Sequence, residues 1–186
     1  MLAAAARHLE ARPRAAAEVR RHLRDAGYDT ALIEGAIERL LEMGYLDDDA
    51  FARAWVESRD RSRPRSARAL RDELRRHGVG VGDSEAALAA REAVATGADP
   101  FAPGLAPAAG ERAGSSASDG EAAAALLARR APALLREVEP RRRRAKAYAL
   151  LARNGFDPEV ASRAVREFAA GPGPGPDEDS EDVGVE

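Results

Sequence analysis

The sequence has no cysteine, few aromatic residues and no long apolar run. Without cysteine, a disulfide framework, a thiol nucleophile and thiolate metal sites are excluded, and the chain fits a reducing cytosol. Aromatic residues make up 4% of the chain, and alanine supplies much of its 45% hydrophobic fraction. Because alanine contributes little buried area, thin layers of helix packed on helix suit this composition better than one thick core. No apolar segment is long enough to cross a bilayer, so we expect no membrane association.

Motifs of catalysis are also missing. The chain contains no phosphate-binding loop of the G-x-x-x-x-G-K-[ST] type, no G-x-G-x-x-G and no G-x-S-x-G. The three histidines, His8, His22 and His77, do not share the spacing of metal ligands. We therefore expect a protein that is not an enzyme and that holds no metal and no cofactor.

Three consecutive aspartates, Asp47, Asp48 and Asp49, form the most enzyme-like cluster. Adjacent carboxylates could bind a divalent cation, as in a metal-dependent hydrolase. They lie, however, directly before a helical apolar pattern that starts at Phe51, where acids accept hydrogen bonds from free backbone amides. We interpret them as helix caps. In the same way, we expect Trp55 to pack in a core beside Phe51 rather than to stack on a nucleic-acid base.

The net charge of −3 conceals two oppositely charged parts. Of 29 basic residues, all but Lys146 are arginine. The tail from residue 171 carries six acids and no basic residue, and removing those six acids from the net charge leaves +3 for the rest of the chain. The acids of the tail are Asp177, Glu178, Asp179, Glu181, Asp182 and Glu186.

The chain contains an internal repeat. The segment ARPRAAAEVRRHLRDAGY, from Ala11, matches SRPRSARALRDELRRHGV, from Ser62, at an offset of 51 residues. A third copy, EPRRRRAKAYALLARNGFD, follows the second at an offset of 77, an excess of 26 residues. An Ala-, Gly-, Pro- and Ser-rich stretch at residues 96–120 accounts for that excess, and we interpret it as a flexible insertion.

Each copy is typical of three helices. A middle helix stops at a glycine suited to a left-handed C-terminal cap, namely Gly27, Gly78 or Gly155. An aspartate then caps the third helix, as at Asp29 and Asp157. Since no segment alternates apolar and polar residues as a half-buried strand does, we predict an all-α protein of tandem three-helix repeats, with about nine helices in an elongated curved array.

The predicted repeats occupy residues 1–46, 47–95 and 121–170, with the insertion at 96–120 and a disordered acidic tail at 171–186. The first helix of the first repeat is predicted near residues 2–11. The last helix of the second repeat, near residues 83–95, has only Leu88 and Val94 as anchors. The other apolar stripes predict buried positions at Val19, Leu23, Ile33, Ile37, Leu40, Leu41, Phe51, Ala52, Trp55, Val56, Leu70, Leu74, Leu126, Leu127, Leu134, Leu135, Tyr148, Leu151, Val160, Val165 and Phe168.

Two arginine-rich segments are the best candidates for binding a partner, because guanidinium groups grip phosphate bidentately and pair with carboxylates. The first, residues 59–76, has eight arginines against three acids. It could instead be a solvated face tied by the i,i+4 pairs Arg68–Asp72 and Asp72–Arg76. The second opens a helix after Pro140, where five cations repel one another and oppose the helix dipole, which indicates an anionic partner. The candidate contact residues are Arg59, Arg61, Arg63, Arg65, Arg68, Arg71, Arg75, Arg76, Arg141, Arg142, Arg143, Arg144 and Lys146.

With the repeats laid out, the sequence resembles the RecX family of bacterial regulators. The resemblance rests on GYLDDDAFARAWVESR at residues 44–59, on RPRSARALRDELRRHGV at 63–79 and on the Gly-Phe-Asp at 155–157, and it covers residues 3–95 and 121–168. It implies three tandem three-helix units in a cytoplasmic, non-catalytic protein. Such a protein binds the RecA–DNA filament and dampens ATP hydrolysis, strand exchange and filament growth in recombination, DNA repair and the SOS response. The insertion and the acidic tail lie outside the family pattern.

We therefore hypothesise a monomer that lies in the groove of a RecA filament and contacts RecA acids or DNA phosphates through the two arginine-rich segments. The alternative is a helical module that binds single- or double-stranded DNA independently of RecA. Both use the same arginines, so the sequence separates them poorly.

Overall fold

The structure is a computed structural model that describes residues 13–97 and 117–171. These two ranges contain eight α-helices joined by short connections, and no strand. The predicted all-α class is confirmed. The helix predicted near residues 2–11, most of the insertion and the acidic tail lie outside the described residues. The helices are α1 (Ala16–Asp25), α2 (Thr30–Glu42), α3 (Asp48–Ser62), α4 (Ala67–His77), α5 (Val81–Thr96), α6 (Ala117–Leu134), α7 (Pro140–Arg153) and α8 (Pro158–Ala170).

Three small hydrophobic cores follow one another along the chain. The first lies between α1 and α2 around Val19 and Ile37. The second joins α3, α4 and α5 around Leu70 and Leu74, and the third joins α6, α7 and α8 around Leu151. Their succession confirms the tandem three-helix repeats. Helix α6 begins at Ala117, three residues before the predicted end of the insertion at residue 120.

The ends of the helices follow the sequence signals. Asp29 and Asp157 each accept a hydrogen bond from the backbone amide two residues on, at 2.8 and 2.9 Å, so both predicted caps are confirmed. Helix α4 ends at Gly78, whose φ of +81° places it in the left-handed region that favours glycine. The next amide, of Val79, donates to the carbonyl of Leu74, and the Val79 side chain is buried against the second core.

Four predicted core residues are exposed instead. Leu41 and Leu135 each follow a buried leucine, and neighbouring positions on a helix lie about 100° apart, so only one of the two faces the core. Tyr148 follows the fully buried Ala147 and, for the same reason, is 37% exposed. Val94, predicted to anchor α5, is 79% exposed, because the buried face of that helix is formed by Ser84, Ala87 and Leu88.

The same interaction occurs at both junctions between repeats. A carboxylate at the start of one repeat accepts a backbone hydrogen bond from the middle helix of the repeat before it. The amide of Ala16 donates to Asp48 at 2.8 Å, and the amide of Ala67 donates to Asp119 at the same distance. Each carboxylate thereby satisfies a free amide at the N-terminus of α1 or α4. Consecutive repeats are therefore fixed by helix capping as well as by apolar packing.

Gly78 also brings the middle helices of the first two repeats close together. A Cβ added to this glycine would lie 2.3 Å from the Cβ of Ala17 on α1. At the next junction, a Cβ added to Gly155 would lie 2.8 Å from the Ser66 hydroxyl. The glycines that end α4 and α7 are thus required twice, for the left-handed turn and for the approach of the preceding repeat.

Candidate functional site

The three consecutive aspartates serve the fold. Asp47 accepts from the amide of Ala50 at 2.9 Å, which confirms the predicted cap of α3. Asp48 caps α1 of the preceding repeat, and Asp49 pairs with Arg53 at 3.0 Å on the same helix. Within residues 13–97 and 117–171, no group of three or more His, Asp or Glu side chains is arranged to hold a metal ion.

Trp55 is half-buried against the second core, as predicted. Its ring stacks on Phe51 with 5.9 Å between centroids, and the Arg59 guanidinium lies 4.2 Å from its ring centroid. The indole Nε1 donates to Glu73 at 2.9 Å. His77 completes the cluster: its ring is 4.2 Å from that of Trp55, and its Nδ1 lies 2.9 Å from Glu18 of the first repeat.

Glu73 at the centre of this cluster binds two of the candidate arginines. Its carboxylate is 2.7 Å from Arg59 and 2.9 Å from Arg65, and its side chain is 7% exposed. Burial alone would raise the pKa of this carboxyl, but hydrogen bonds from Arg59 and Trp55 and the charges of both arginines hold the pKa below its ordinary value. Arg59 and Arg65 are therefore part of the structure of the second repeat rather than free binding groups.

Three more arginines of the first segment pair with acids at the surface. Arg61 binds Glu57 at 2.5 Å, Arg71 binds Glu85 at 2.6 Å and Arg75 binds Asp72 at 2.8 Å. The i,i+4 pairs of Asp72, which belonged to the alternative of a solvated face, do not form as ion pairs. Its carboxylate pairs at i,i+3 with Arg75, and Arg76 donates to its backbone carbonyl at 3.0 Å.

The second arginine-rich segment begins α7 and is partly neutralised by acids that precede the helix. Arg142 pairs with Glu139 at 2.8 Å, and Lys146 pairs with Glu137. The hydrogen bond from Lys146 lowers the pKa of Glu137. Sequence reasoning considered only the absence of acids after Pro140 and so missed both partners. Arg141 and Arg144 are exposed.

Pairing divides the candidate cations into two groups. Seven are paired with a carboxylate, as described above. Among the residues that the structure describes, no carboxylate lies within bridging distance of the other six. The six are Arg63, Arg68, Arg76, Arg141, Arg143 and Arg144.

Two of these six, Arg68 and Arg76, line a polar cleft of about 430 Å³ between α4 and the C-terminal end of α7. We call it the basic cleft. Its other wall carries Arg153 and Tyr148, neither of which the sequence singled out as a binding residue. Residues almost eighty positions apart meet here because the C-terminal end of α7 contacts the start of α4, where the Ser66 amide donates to the carbonyl of Asn154 at 3.4 Å. The repeat alone does not reveal this contact.

A second missed cluster joins the second and third repeats around Arg91 of α5, whose side chain is 6% exposed. Its guanidinium donates twice to Asp60, at 2.9 and 3.0 Å, and once to Asp119, at 3.0 Å. A fourth bond, of 3.1 Å, goes to the backbone carbonyl of Arg65. We call these residues the Arg91 hub. Asp119 also caps α4, so four helices meet at this point.

The fold and its surface define a tandem three-helix-repeat protein whose repeats are joined by partly buried carboxylates, and most of whose candidate arginines without a carboxylate partner are exposed. The chain belongs to the RecX family. Family models match residues 2–40, as the first three-helix domain of RecX, and residues 47–88, as the second. None of the helices in the described ranges is long and apolar enough to span a bilayer.

Relatives named regulatory protein RecX match over most of the chain. The one from Deinococcus radiodurans is 36% identical over 169 residues, which cover 91% of this chain and 68% of the relative. The one from Thermobifida fusca is 33% identical over 172 residues, covering 92% and 80%. The match with a Mycobacterium relative (strain JLS) is 44% identical over 73 residues, or 39% of this chain and 40% of that protein.

Solved structures share the fold. The crystal structure of RecX from Lactobacillus salivarius superposes with a TM-score of 0.65 at 16% identity, covering 89% of this chain and 92% of that one. A second crystal structure, of regulatory protein RecX, gives 0.62 at 21% identity, covering 89% and 72%. At these identities the likeness supports the all-helical repeat architecture.

Proposed function

We propose that this protein is a non-catalytic regulator that binds the RecA–DNA filament and inhibits its ATP hydrolysis, strand exchange and growth. The observation that carries the proposal is membership of the RecX family. RecA enters as the partner through that family. The unpaired arginines on the outer surface of the second and third repeats supply the chemistry for an anionic partner.

The repeat architecture suits a filament. A filament presents the same surface at regular intervals, and an array of repeats can place one modest contact on each of several protomers. Once one contact has formed, the linked contacts have a high effective concentration at their own binding sites. Several weak ion pairs along the array can therefore give useful affinity together. An array lying in the groove obstructs entry of a second DNA duplex and holds neighbouring protomers in an arrangement unsuited to hydrolysis.

The contact is proposed for the arginines without a carboxylate partner rather than for both segments in full. Arg141 and Arg144, at the exposed start of α7, are the clearest members on the third repeat. Arg63, Arg68 and Arg76 are those of the second repeat. Arg59 and Arg65 are needed for the packing of Glu73, so their replacement would disturb the fold before it disturbed binding.

The test measures the DNA-dependent ATPase activity and strand exchange of RecA while the protein is titrated in. Inhibition at a few-fold molar excess over filament sites is expected, and no effect there would reject the proposal. The double variant Arg141→Glu/Arg144→Glu should abolish the inhibition. The matched control Arg21→Glu/Arg24→Glu, which reverses two exposed arginines on α1, should keep it.

A further inference from the structure

The basic cleft carries more positive charge than the acidic residues in its lining can neutralise. Arg65, Arg68, Arg76 and Arg153 line it, against one acid, Asp72. Asp72 is paired with Arg75, and Arg65 is paired with Glu73. Among the described residues, no carboxylate bridges Arg68, Arg76 or Arg153. Three guanidinium groups therefore remain at one cleft, and such groups bind phosphate bidentately.

The spacing of these arginines fits a chain of phosphates better than a single anion. Arg68 and Arg76 are eight residues apart on α4, which corresponds to about 12 Å along the helix axis at 1.5 Å per residue. A nucleic-acid strand advances by about 3.4 Å per nucleotide in a duplex and by more when extended, so this distance covers more than one phosphate. Arg153 adds a cation from the opposite wall.

Tyr148 gives the cleft an aromatic wall. The apolar stripe of α7 predicts a buried position for this residue, yet its side chain lines the cleft and stays 37% exposed. An aromatic ring beside a track of cations is the usual composition of sites for single-stranded nucleic acid, where bases stack on the ring and the phosphates follow the charge. An acidic peptide would use the arginines equally well but would gain little from the ring.

We propose that the basic cleft binds a single strand of nucleic acid, with an unpaired base stacked on Tyr148 and its flanking phosphates held by Arg68, Arg76 and Arg153. The cleft is open to solvent, and its volume of about 430 Å³ leaves room for one base with its sugar and phosphate. Because a paired base cannot leave its stack without cost, the site prefers single strands to duplex. This inference goes beyond the proposed function, since it requires no RecA.

The experiment measures fluorescence anisotropy of a labelled oligo(dT) of about 12 nucleotides, and of a duplex of equal length, with the full chain and no RecA present. Tyr148→Ala is expected to weaken oligo(dT) binding roughly tenfold, the low end of the effect of losing one stacked base, and to leave duplex binding within about twofold. Tyr148→Phe keeps the ring and should bind like the unchanged protein. All variants are first checked for unaltered helical circular dichroism.

Salt dependence tests the arginines separately from the ring. Each phosphate contact with a single strand contributes about 0.7 to the slope of log affinity against log salt, so Arg68→Ala/Arg153→Ala should reduce that slope by about 1.4. The control Arg21→Ala/Arg24→Ala removes two exposed arginines outside the cleft and should leave the slope unchanged. If both double variants reduced the slope equally, binding would depend on general surface charge, and the site would be rejected.

Three further outcomes would reject the proposal: no binding of oligo(dT) at low salt, equal losses for single strand and duplex on Tyr148→Ala, or a glutamate-rich peptide that displaces oligo(dT) at equal affinity. The last would assign the cleft to an acidic segment of a protein. A negative result for the cleft does not reject the proposed inhibition of RecA. Inhibition is measured in a different assay, and the arginines replaced in that assay, Arg141 and Arg144, lie at the start of α7 rather than in the cleft. A protein that binds oligo(dT) but does not inhibit RecA would reject the proposed function alone.

Discussion

Replacing Arg91 by methionine should separate the third repeat from the second. The guanidinium is 6% exposed and makes four hydrogen bonds, to Asp60, to Asp119 and to the carbonyl of Arg65. Methionine keeps most of the apolar stem but removes every donor. Two carboxylates and one carbonyl then lose the hydrogen bonds from this guanidinium at a site that the helices continue to shield from water, although Asp119 keeps the bond from the amide of Ala67.

The size of the loss follows from the exposure of the two acids. Removing one partner of a buried ion pair costs about 3 to 5 kcal/mol, because the remaining charge stays desolvated. Asp119 is 14% exposed and bears that cost, whereas Asp60 is 35% exposed and is partly rehydrated. We therefore expect a loss near the lower limit, about 3 kcal/mol. Arg91→Lys should lose roughly half as much, since one ammonium group cannot span both acids and the carbonyl.

Urea unfolding followed by far-ultraviolet circular dichroism measures this effect. Arrays of repeats lose cooperativity when an interface is weakened, so a second transition in Arg91→Met, assigned to the third repeat, is also an expected result. The control is Arg39→Met, which breaks an exposed pair with Glu42 and should cost about 0.5 kcal/mol or less. If Arg91→Met unfolds in one transition with a loss as small as that of the control, the hub does not hold the repeats together.

Two further changes test the junctions and the Glu73 cluster. Gly78→Ala should destabilise the protein at least 1 kcal/mol more than Gly44→Ala in urea unfolding, to the order of magnitude of overpacking. Both glycines have positive φ, but an added Cβ meets Ala17 at Gly78 and open space at Gly44, so equal losses would argue against close packing at the junction. Glu73→Gln should remove a pH-dependent part of the stability. Since the pKa of Glu73 is lowered by folding, its contribution is present above the unfolded value of about 4.3 and is lost as the pH falls through the folded value. The difference in Tm between the unchanged protein and Glu73→Gln should therefore be larger at pH 7 than at pH 3, and a constant difference would contradict this role.

Local signals in the sequence predicted local structure well. The glycine at residue 78 and the aspartates at 29, 47 and 157 act through backbone groups two to four residues away, and such contacts are fixed by spacing along the chain. The repeat offset predicted the tandem arrangement for a similar reason, because each copy carries its own stripe of apolar residues. The exposed Leu41 and Leu135 show the limit, since periodicity does not tell which of two adjacent leucines faces the core.

Contacts between repeats could not be predicted in this way. Arg91 lies in an alanine-rich helix, and its acids are 31 and 28 residues away in sequence, so no spacing rule connects them. The two arginine-rich segments were predicted as uniform patches for the same reason. Glu73, counted only as one acid among eight arginines, is in fact the buried centre that binds two of them.

The division of the arginines by partner bears directly on how such a protein recognises an anion. An arginine already bonded to a buried carboxylate gains little from a second anion, because it must first leave its partner or bring a further negative charge close to it. Because Arg59 and Arg65 are paired with Glu73, they are not available to bind another anion, although they lie in an arginine-rich segment. Of the six candidate cations without a carboxylate partner, Arg141, Arg143 and Arg144 lie at the start of α7, and Arg68 and Arg76 lie along the basic cleft. Net charge per segment is thus a poor guide to the binding surface, and the acids inside the repeats decide which arginines reach a partner.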